Sequence, residues 1–171
     1  MARAPLLLAL SALLLAGCIN MSSPAKLAPG ASAEAIRAQL GEPTGRYALP
    51  GGATRLEYAR GPYGRETWML DVDANGALVA TTQVLVEANF NTIKAGMTRD
   101  ELLRTLGRPS RVGFVGWQNQ TVWNYRYSSP FCQWFQVGLS QAGIVEDTGY
   151  GPDPLCDDDD RPMMGLVWRH R

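Results

Sequence analysis

The side chains that most often carry out catalysis are scarce in this sequence of 171 residues. Its single histidine, His170, stands at the penultimate position, where a frayed end is a poor place to hold a general base. Ser140 lacks the glycine spacing of a strand-turn-helix nucleophile elbow. Asp71 and Asp73 share one face of a predicted strand, but a solvent-facing row explains them more simply than an acid pair. We therefore expect no catalytic residues, no enzyme activity and no cofactor.

Clustered carboxylates are the remaining candidates for metal chemistry. The strongest charge run consists of the four aspartates at residues 157–160, with Asp153 nearby. Hard cations such as calcium prefer clustered carboxylates. The run lacks the glycine and the spaced ligands of a recognised calcium loop, so a solvated surface segment is the favoured interpretation and no metal site is predicted.

The charges balance over the whole chain but not within each part of it. Sixteen basic and sixteen acidic residues give a formal net charge of zero, which argues against a nucleic-acid binder. Residues 89–130 nevertheless carry six basic and two acidic residues, an excess of four. Such an excess fits anionic lipid headgroups or an acidic partner, although solvation alone is the simpler explanation. The hydrophobic fraction of 46% is sufficient for a buried core.

The first 17 residues have the pattern of a secretory signal. Arg3 precedes an apolar run from Leu6 to Leu15, and small residues follow the run. The run is too short to cross a membrane as a helix, which takes about 20 residues. Residues 15–18, Leu-Ala-Gly-Cys, resemble the lipobox of bacterial lipoproteins. The resemblance implies cleavage before Cys18, lipidation of Cys18 and, because no aspartate follows, anchoring in the outer membrane with the periplasmic side favoured.

Lipidation of Cys18 would leave Cys132 and Cys156 as the other two cysteines. In an oxidising compartment an even pair of cysteines is most simply a disulfide. A bridge between them would close a loop of about 25 residues and contribute roughly 3 kcal/mol to stability on the chain-entropy model. A redox or metal role is the less favoured alternative, because no histidine lies near either cysteine in the sequence.

The rest of the chain contains an internal repeat. Residues 30–43 align with residues 96–109 at an offset of 66, and after one inserted residue Tyr58 aligns with Tyr125 at an offset of 67. We therefore divide the chain into a signal peptide, a lipidated cysteine with its tether, two related units, and an acidic and apolar C-terminal segment. These parts occupy residues 1–17, 18–29, 30–88, 89–150 and 151–171.

Each unit is predicted to begin with a short helix. Thr98 is a good N-cap that Glu101 completes as a capping box, whereas Ser32 caps the first helix less completely. Gly41 and Gly107 end the two helices in the C-cap position. The predicted fold class is α+β, with two tandem units that each pack a short helical part on a three-stranded antiparallel sheet. The predicted strands lie at residues 54–59, 67–73, 77–87, 121–127, 132–139 and 144–150.

The second unit carries the motifs of a known family. Gly-Met-Thr at residues 96–98, Leu-Gly-Arg-Pro at 106–109 and Trp-Asn-Tyr at 123–125 resemble the SmpA/OmlA family of outer-membrane lipoproteins. The first unit has lost the methionine and the tryptophan of this pattern. The resemblance implies BamE-like units and, as partners, subunits of the machinery that assembles outer-membrane β-barrels. Two such units in tandem are similar to the secreted β-lactamase inhibitor proteins, whose paired sheets form a concave protein-binding surface.

Two apolar stretches are candidate surfaces for a protein partner or for lipid. The first falls in the predicted loop between the second helix and its sheet, and the alternative is that this loop folds over the core. The second, at residues 163–168, ends at Trp168, and the alternative is an added edge strand. Tryptophan and arginine are enriched where interfaces concentrate their binding energy. The first stretch is residues 112–117, with the candidate residues Phe114, Val115 and Trp117, and the basic residues Arg108 and Arg111 before it are further candidates.

The sequence therefore predicts an outer-membrane lipoprotein that acts as a non-catalytic protein-binding accessory in envelope or β-barrel assembly. One alternative is an inhibitor-type binding module for another periplasmic or secreted protein. Another is a structural or lipid-binding envelope lipoprotein. Large exposed aromatic side chains on the concave sheet face would favour the inhibitor, and a polar face would argue against it.

Overall fold

Residues 23–156 are described by a computed structural model, and within them the chain is mostly β-structure. The strands form two four-stranded antiparallel sheets in which neighbours in sequence are neighbours in space. Sheet 1 consists of β1 Gly45–Ala48, β2 Thr54–Ala59, β3 Thr67–Val72 and β4 Leu78–Gln83. Sheet 2 consists of β5 Arg111–Val115, β6 Gln120–Arg126, β7 Gln133–Leu139 and β8 Val145–Pro152.

Short helices accompany the sheets. Helix α1, Ala33–Leu40, precedes sheet 1, and helices α2, Glu87–Phe90, and α3, Arg99–Leu106, precede sheet 2. Two turns of 3-10 helix occupy Pro24–Lys26 and Pro50–Gly52. None of the helices in residues 23–156 is long and apolar enough to cross a membrane.

The prediction of an α+β fold with two BamE-like units of three strands each is wrong, because each sheet has a fourth strand and the chain is mostly β. The sequence did not predict β1 and β5, which both lie at an edge of their sheet. Each contains a glycine, Gly45 or Gly113, and has no buried side chain. Neither strand therefore shows the alternating apolar pattern that identifies a half-buried strand in a sequence. These two edge strands take an extended conformation because they pair with β2 and β6.

The two sheets hold their helices with equivalent hydrogen bonds. The hydroxyl of Tyr58 donates to the carbonyl of Gly41 at 3.2 Å, and the hydroxyl of Tyr125 donates to the carbonyl of Gly107 at 3.1 Å. Each of these glycines ends the helix that precedes its sheet. In each case a tyrosine of the second strand of the sheet therefore holds the C-terminal end of the helix that precedes that sheet.

The helix N-termini are capped by the predicted residues. The Ser32 hydroxyl accepts the N–H of Ala35 at 3.2 Å. Thr98 and Glu101 form the reciprocal capping box, in which the Glu101 carboxylate accepts the N–H of Thr98 at 2.7 Å. The hydrogen bonds from Thr98 lower the pKa of the Glu101 carboxyl below its ordinary value.

The elements stack in layers, with α3 between the two sheets. On the outer face of sheet 1, α1 contributes Ile36, which is fully buried. Helix α3 buries Leu102 and Leu106 against sheet 2, in a core that also includes Met69 of sheet 1. The far side of sheet 2 has no helix over it among the described residues. The aromatic residues of the central core are Phe90, Trp123, Tyr125, Tyr127 and Phe135.

Hydrogen bonds join the end of α3 to sheet 1. Glu57 of β2 is completely buried, and its carboxylate accepts the backbone N–H of Arg108 at 3.3 Å as well as the hydroxyl of Tyr47. A guanidinium N–H of Arg55 donates to the carbonyl of Arg104 at 2.8 Å. Sheet 1 thus satisfies a donor and an acceptor at the C-terminal end of α3, where backbone groups lack partners within the helix.

Gly107 allows α3 to approach sheet 1 this closely. Its φ of +78° lies in the region that favours glycine, and a Cβ at this position would lie 3.0 Å from the side chains of Glu57 and Met69. Gly41 has a similar φ of +83°, but a Cβ there would meet nothing within 4 Å. The two glycines therefore share a backbone requirement, and only Gly107 adds a packing requirement.

We expect Gly107→Ala to destabilise the protein more than Gly41→Ala. Both variants place a Cβ in a backbone region that is essentially restricted to glycine, at a cost of about 1–3 kcal/mol. Gly107→Ala adds about 1–3 kcal/mol of overpacking against sheet 1. Urea unfolding followed by tryptophan fluorescence measures both free energies of unfolding. Equal losses in the two variants would contradict the close contact between α3 and sheet 1.

Candidate binding surface

The hairpin that joins β5 to β6 carries the most exposed large apolar side chain of residues 23–156. Trp117 is 85% exposed, Phe114 is 64% exposed and Val112 is 56% exposed. Two backbone hydrogen bonds of 3.2 Å close the turn within residues 115–119. The Phe114 ring lies beside this turn, since it reaches within 3.8 Å of where a Cβ of Gly116 would stand. The stretch is therefore an exposed hairpin and does not fold over the core.

The alternation of side chains along β5 separates the predicted site residues onto two faces. Val112 lies directly opposite Trp123, whose ring is in the core, so Val112 and Phe114 belong to the α3 side of sheet 2. Arg111 and Val115 belong to the opposite side. The structure therefore brings Phe114 together with Val112 and the turn, and it separates them from Arg111 and Val115.

Arg108 lies at the junction of the two sheets and not on the hairpin. Its backbone N–H donates to the buried Glu57 carboxylate at 3.3 Å. Burial, and then the hydrogen bond to Glu57, raise the pKa of Tyr47 well above its ordinary value, while the neighbouring Arg108 acts in the opposite direction. Arg108 therefore contributes to the contact between α3 and sheet 1.

Arg126 does not contribute to a basic surface, because it is buried and paired with Asp153. The two side chains are 6% and 3% exposed. One guanidinium nitrogen of Arg126 donates to Asp153 at 2.8 Å and another donates to the carbonyl of Pro62 at 2.7 Å. The guanidinium also lies 5.5 Å from the centre of the Trp134 ring. Sequence analysis missed this pair, since the partners are 27 residues apart and no local pattern links them.

A disulfide holds the chain beyond β8 against sheet 2. The predicted bridge between Cys132 and Cys156 is present, with the two Cα atoms 5.9 Å apart. The N–H of Asp153 also donates to the carbonyl of Cys132 at 2.9 Å. The bridge and the Arg126–Asp153 ion pair therefore fix the same short segment, residues 153–156.

The other residues considered for chemistry have structural partners. Asp71 accepts two hydrogen bonds from Arg55, at 2.6 and 2.7 Å. Asp73 accepts two backbone N–H groups of the turn that follows it. Residues 23–156 contain no group of three His, Cys, Asp or Glu side chains that is arranged to hold a metal ion. Several predicted features lie outside the described residues: Cys18, the aspartates at 157–160, Trp168 and His170.

Comparisons with known proteins do not assign the chain to a family. No family model and no curated protein match it. A cysteine-rich secretory protein from Staphylococcus aureus subsp. aureus Mu50 is similar over 76% of this chain and 46% of its own, with 11% identity and a TM-score of 0.29. An extracellular protein containing an SCP domain from Bacillus anthracis str. Ames is similar over 73% and 44%, also with 11% identity and a TM-score of 0.29. The chain spans less than half the length of either protein, and likenesses this slight assign neither fold nor function.

We expect Asp153→Asn to destabilise the protein by about 3–5 kcal/mol, because it leaves the charge of Arg126 buried without its partner. Asp71→Asn is the matched control. Its ion pair with Arg55 has side chains that are 26% and 19% exposed, so water can reach the guanidinium and the loss should be smaller. Urea unfolding measures both losses. Equal losses would contradict a special role for the buried pair.

The same pair should shape the stability of the protein in acid. Burial raises the pKa of the Asp153 carboxyl. The hydrogen bonds from Arg126 and from the Leu155 backbone lower it by more than burial raises it, so the pKa lies below its ordinary value. Such a carboxyl stabilises the fold fully above its unfolded pKa of about 3.9, and the contribution is lost as the pH falls through the folded pKa. Between about pH 4 and pH 2 the free energy of unfolding should therefore fall more steeply in the wild type than in Asp153→Asn. Parallel curves would contradict this.

Proposed function

We propose that this protein is a lipoprotein of the outer membrane that binds another envelope protein through its β5–β6 hairpin and has no catalytic role. The observation that carries the proposal is the joint exposure of Trp117, Phe114 and Val112 at the edge of sheet 2. Single exposed apolar side chains are ordinary on a protein surface, whereas neighbouring ones mark a contact site. Tryptophan is among the residues that dominate binding energy at interfaces.

The free edge of β5 offers a partner a second means of contact. Among the described residues β5 pairs only with β6, so its other edge presents backbone N–H and C=O groups without a strand partner. A strand of another protein can pair with such an edge while its side chains meet the exposed apolar residues. The hairpin is well supported for this role, because β6 carries the fully buried Tyr125.

The lipobox at residues 15–18 supports anchoring through Cys18, and the described residues begin a few positions after it. The first described turn is Pro24–Lys26, and Pro24 is already buried. The six residue-to-residue steps from Cys18 to Pro24 span at most about 22 Å when fully extended. A lipid on Cys18 would therefore keep the sheets near the membrane, which favours a partner that is itself at the outer membrane.

Subunits of the β-barrel assembly machinery are the partner class that the motifs of the second unit favour. In the structure, however, the motif residues build the scaffold: Thr98 caps α3, Gly107 ends it, and Trp123 and Tyr125 lie in the core. The motifs support membership of the envelope assembly apparatus through resemblance alone. The contact with the partner belongs to the hairpin, which lies outside the motifs.

The alternative of an inhibitor-type module that binds through a concave sheet face has less support. The open face of sheet 2 carries amide side chains and glycines, among them Asn124, Gln136, Gly138 and Gly149. The exposed aromatic side chains of the hairpin lie at the edge of the sheet instead. The face also carries Val122 and Trp134, but Trp134 is only 6% exposed, so it offers little to an interface that gains its energy from aromatic anchors.

We expect Trp117→Ser and Phe114→Ser to weaken partner binding while leaving the fold intact, because both side chains are mostly exposed. An anchoring aromatic residue contributes about 2 kcal/mol or more to an interface, which corresponds to about a 30-fold change in Kd. The measurement is affinity capture of assembly-machinery subunits from solubilised membranes by the tagged full-length lipoprotein, quantified for each variant.

Phe131→Ser is the matched control, since Phe131 is 75% exposed but lies beside the disulfide. It should recover the same subunits as the wild type. Undiminished recovery by the two hairpin variants would overturn the proposed surface. Failure of the wild type to recover any assembly-machinery subunit, together with hairpin-dependent binding to anionic vesicles, would replace the protein partner with lipid.

A further inference from the structure

The open face of sheet 2 contains a groove of about 460 Å³ to which the proposed function assigns no ligand, although Phe114 of the hairpin contributes to its lining. Strand pairing places Val122 between Gly113 and Gly138, and it places Asn124 between Arg111 and Gln136. Gly113 leaves open space above the sheet, because a Cβ there would meet only the carbonyl of Val122 at 4.0 Å, whereas the Gln120 side chain lies over Gly138. We call this depression the amide groove, after its floor of Gln120, Asn124 and Gln136.

The equivalent face of sheet 1 differs from the groove in its side chains and in its cover. There α3 covers the sheet, and the positions equivalent in strand pairing to Gly113, Gln136 and Gly138 hold Tyr47, Met69 and Asp71. Tyr47 and Met69 pack against the central core that includes α3. Within the described residues, sheet 2 lacks both the bulky side chains and the covering helix, so the groove is not a vacant copy of the α3 site.

The side chain of Gln120 has a fixed orientation. Its amide nitrogen donates to the carboxylates of Glu146 at 3.1 Å and Asp147 at 2.9 Å. A carboxylate only accepts hydrogen bonds, so the amide cannot be reversed and its carbonyl oxygen must lie on the other side. Gly138 makes room for this arrangement, because a Cβ there would collide with the Gln120 amide.

Gln136 is oriented by a similar chain of hydrogen bonds. Asn124 donates from its amide nitrogen to the backbone carbonyls of Arg111 at 3.3 Å and Val122 at 3.4 Å, so its side-chain oxygen is left as an acceptor. Gln136 donates to that oxygen at 2.7 Å. Its own carbonyl oxygen lies over Gly151, where a Cβ would stand only 2.6 Å away. The described residues provide no donor to the carbonyl oxygen of either glutamine.

We propose that the amide groove binds a short, neutral glycan. A hydroxyl group both donates and accepts, so it can satisfy the carbonyl oxygens of Gln120 and Gln136 and also the donors of the groove, which include the guanidinium of Arg111. The acceptors are already held in place by hydrogen bonds and glycine contacts, which reduces the entropy lost on binding. The volume lies within the range of about 300–1,000 Å³ that is usual for small-molecule sites.

Other occupants fit the groove less well. An apolar chain would cover the amide oxygens without satisfying them, at a cost of about 1–3 kcal/mol for each buried group. An anionic ligand would meet the carboxylates of Glu146 and Asp147 at one margin. A helix lacks the contacts that hold α3 on sheet 1, because Arg55 and Glu57 are replaced at the equivalent positions by Val122 and Asn124.

The test is titration of the full chain in detergent with neutral trisaccharides, chitotriose and maltotriose, and with trigalacturonate as the anionic control. Calorimetry gives the affinity, and tryptophan fluorescence reports on Trp134, which lines the groove. We expect at least one neutral trisaccharide to bind with a Kd tighter than about 1 mM. Gln136→Met, which installs the residue of the equivalent position in sheet 1, should weaken that binding at least about tenfold.

Trp117→Ser, on the hairpin and outside the groove floor, should leave glycan binding unchanged, which separates this site from the proposed partner surface. Three results would overturn the glycan site. One is the absence of binding by either neutral trisaccharide, another is binding that Gln136→Met does not weaken, and the third is tighter binding of trigalacturonate. Loss of glycan binding in Trp117→Ser as well would count against a separate groove.

Discussion

One eight-residue helix, α3, packs against both sheets, and the rest of the structure depends on the contacts that it makes with each of them. Toward sheet 2 it presents leucines, and toward sheet 1 its end is held by the buried Glu57 carboxylate and by the close fit of Gly107. Because α3 closes the second face of sheet 1, that sheet is covered on both sides. Within residues 23–156, sheet 2 is covered by a helix on one side only, which leaves the amide groove open. The exposed side chains of the hairpin lie at the edge of its covered side.

The buried pair of Arg126 and Asp153 has a related role at the end of sheet 2. It neutralises an arginine that the sequence counted toward a basic surface, and it reaches the carbonyl of Pro62 in the hairpin between β2 and β3. A desolvated charge is tolerated only with its partner and its full set of hydrogen bonds. The disulfide then holds the segment that carries Asp153. Together these contacts hold the C-terminal end of β6, which is the end away from the exposed hairpin.

What the sequence predicts well are features whose signals are local. The caps at Ser32 and Thr98, the glycines that end the helices and the pairing of the last two cysteines all follow from short motifs or from simple counting. The edge strands β1 and β5 have no such signal, because their conformation depends on pairing with a neighbouring strand and not on burial of their own side chains. Missing β5 had a direct consequence for the site: without its alternation, Arg111 and Val115 were grouped with Phe114 although they face the other way. The sequence does not predict the amide groove either, because its residues come together only through the pairing register of the four strands of sheet 2.

Photo-cross-linking in intact cells tests the central claim, that the β5–β6 hairpin is the partner surface, most directly. A photoreactive phenylalanine in place of Trp117 should give a cross-linked adduct with a subunit of the β-barrel assembly machinery. The same probe in place of Tyr63, which is 76% exposed in a different hairpin, should give none. The absence of any adduct at position 117, or an equal adduct at position 63, would contradict the account.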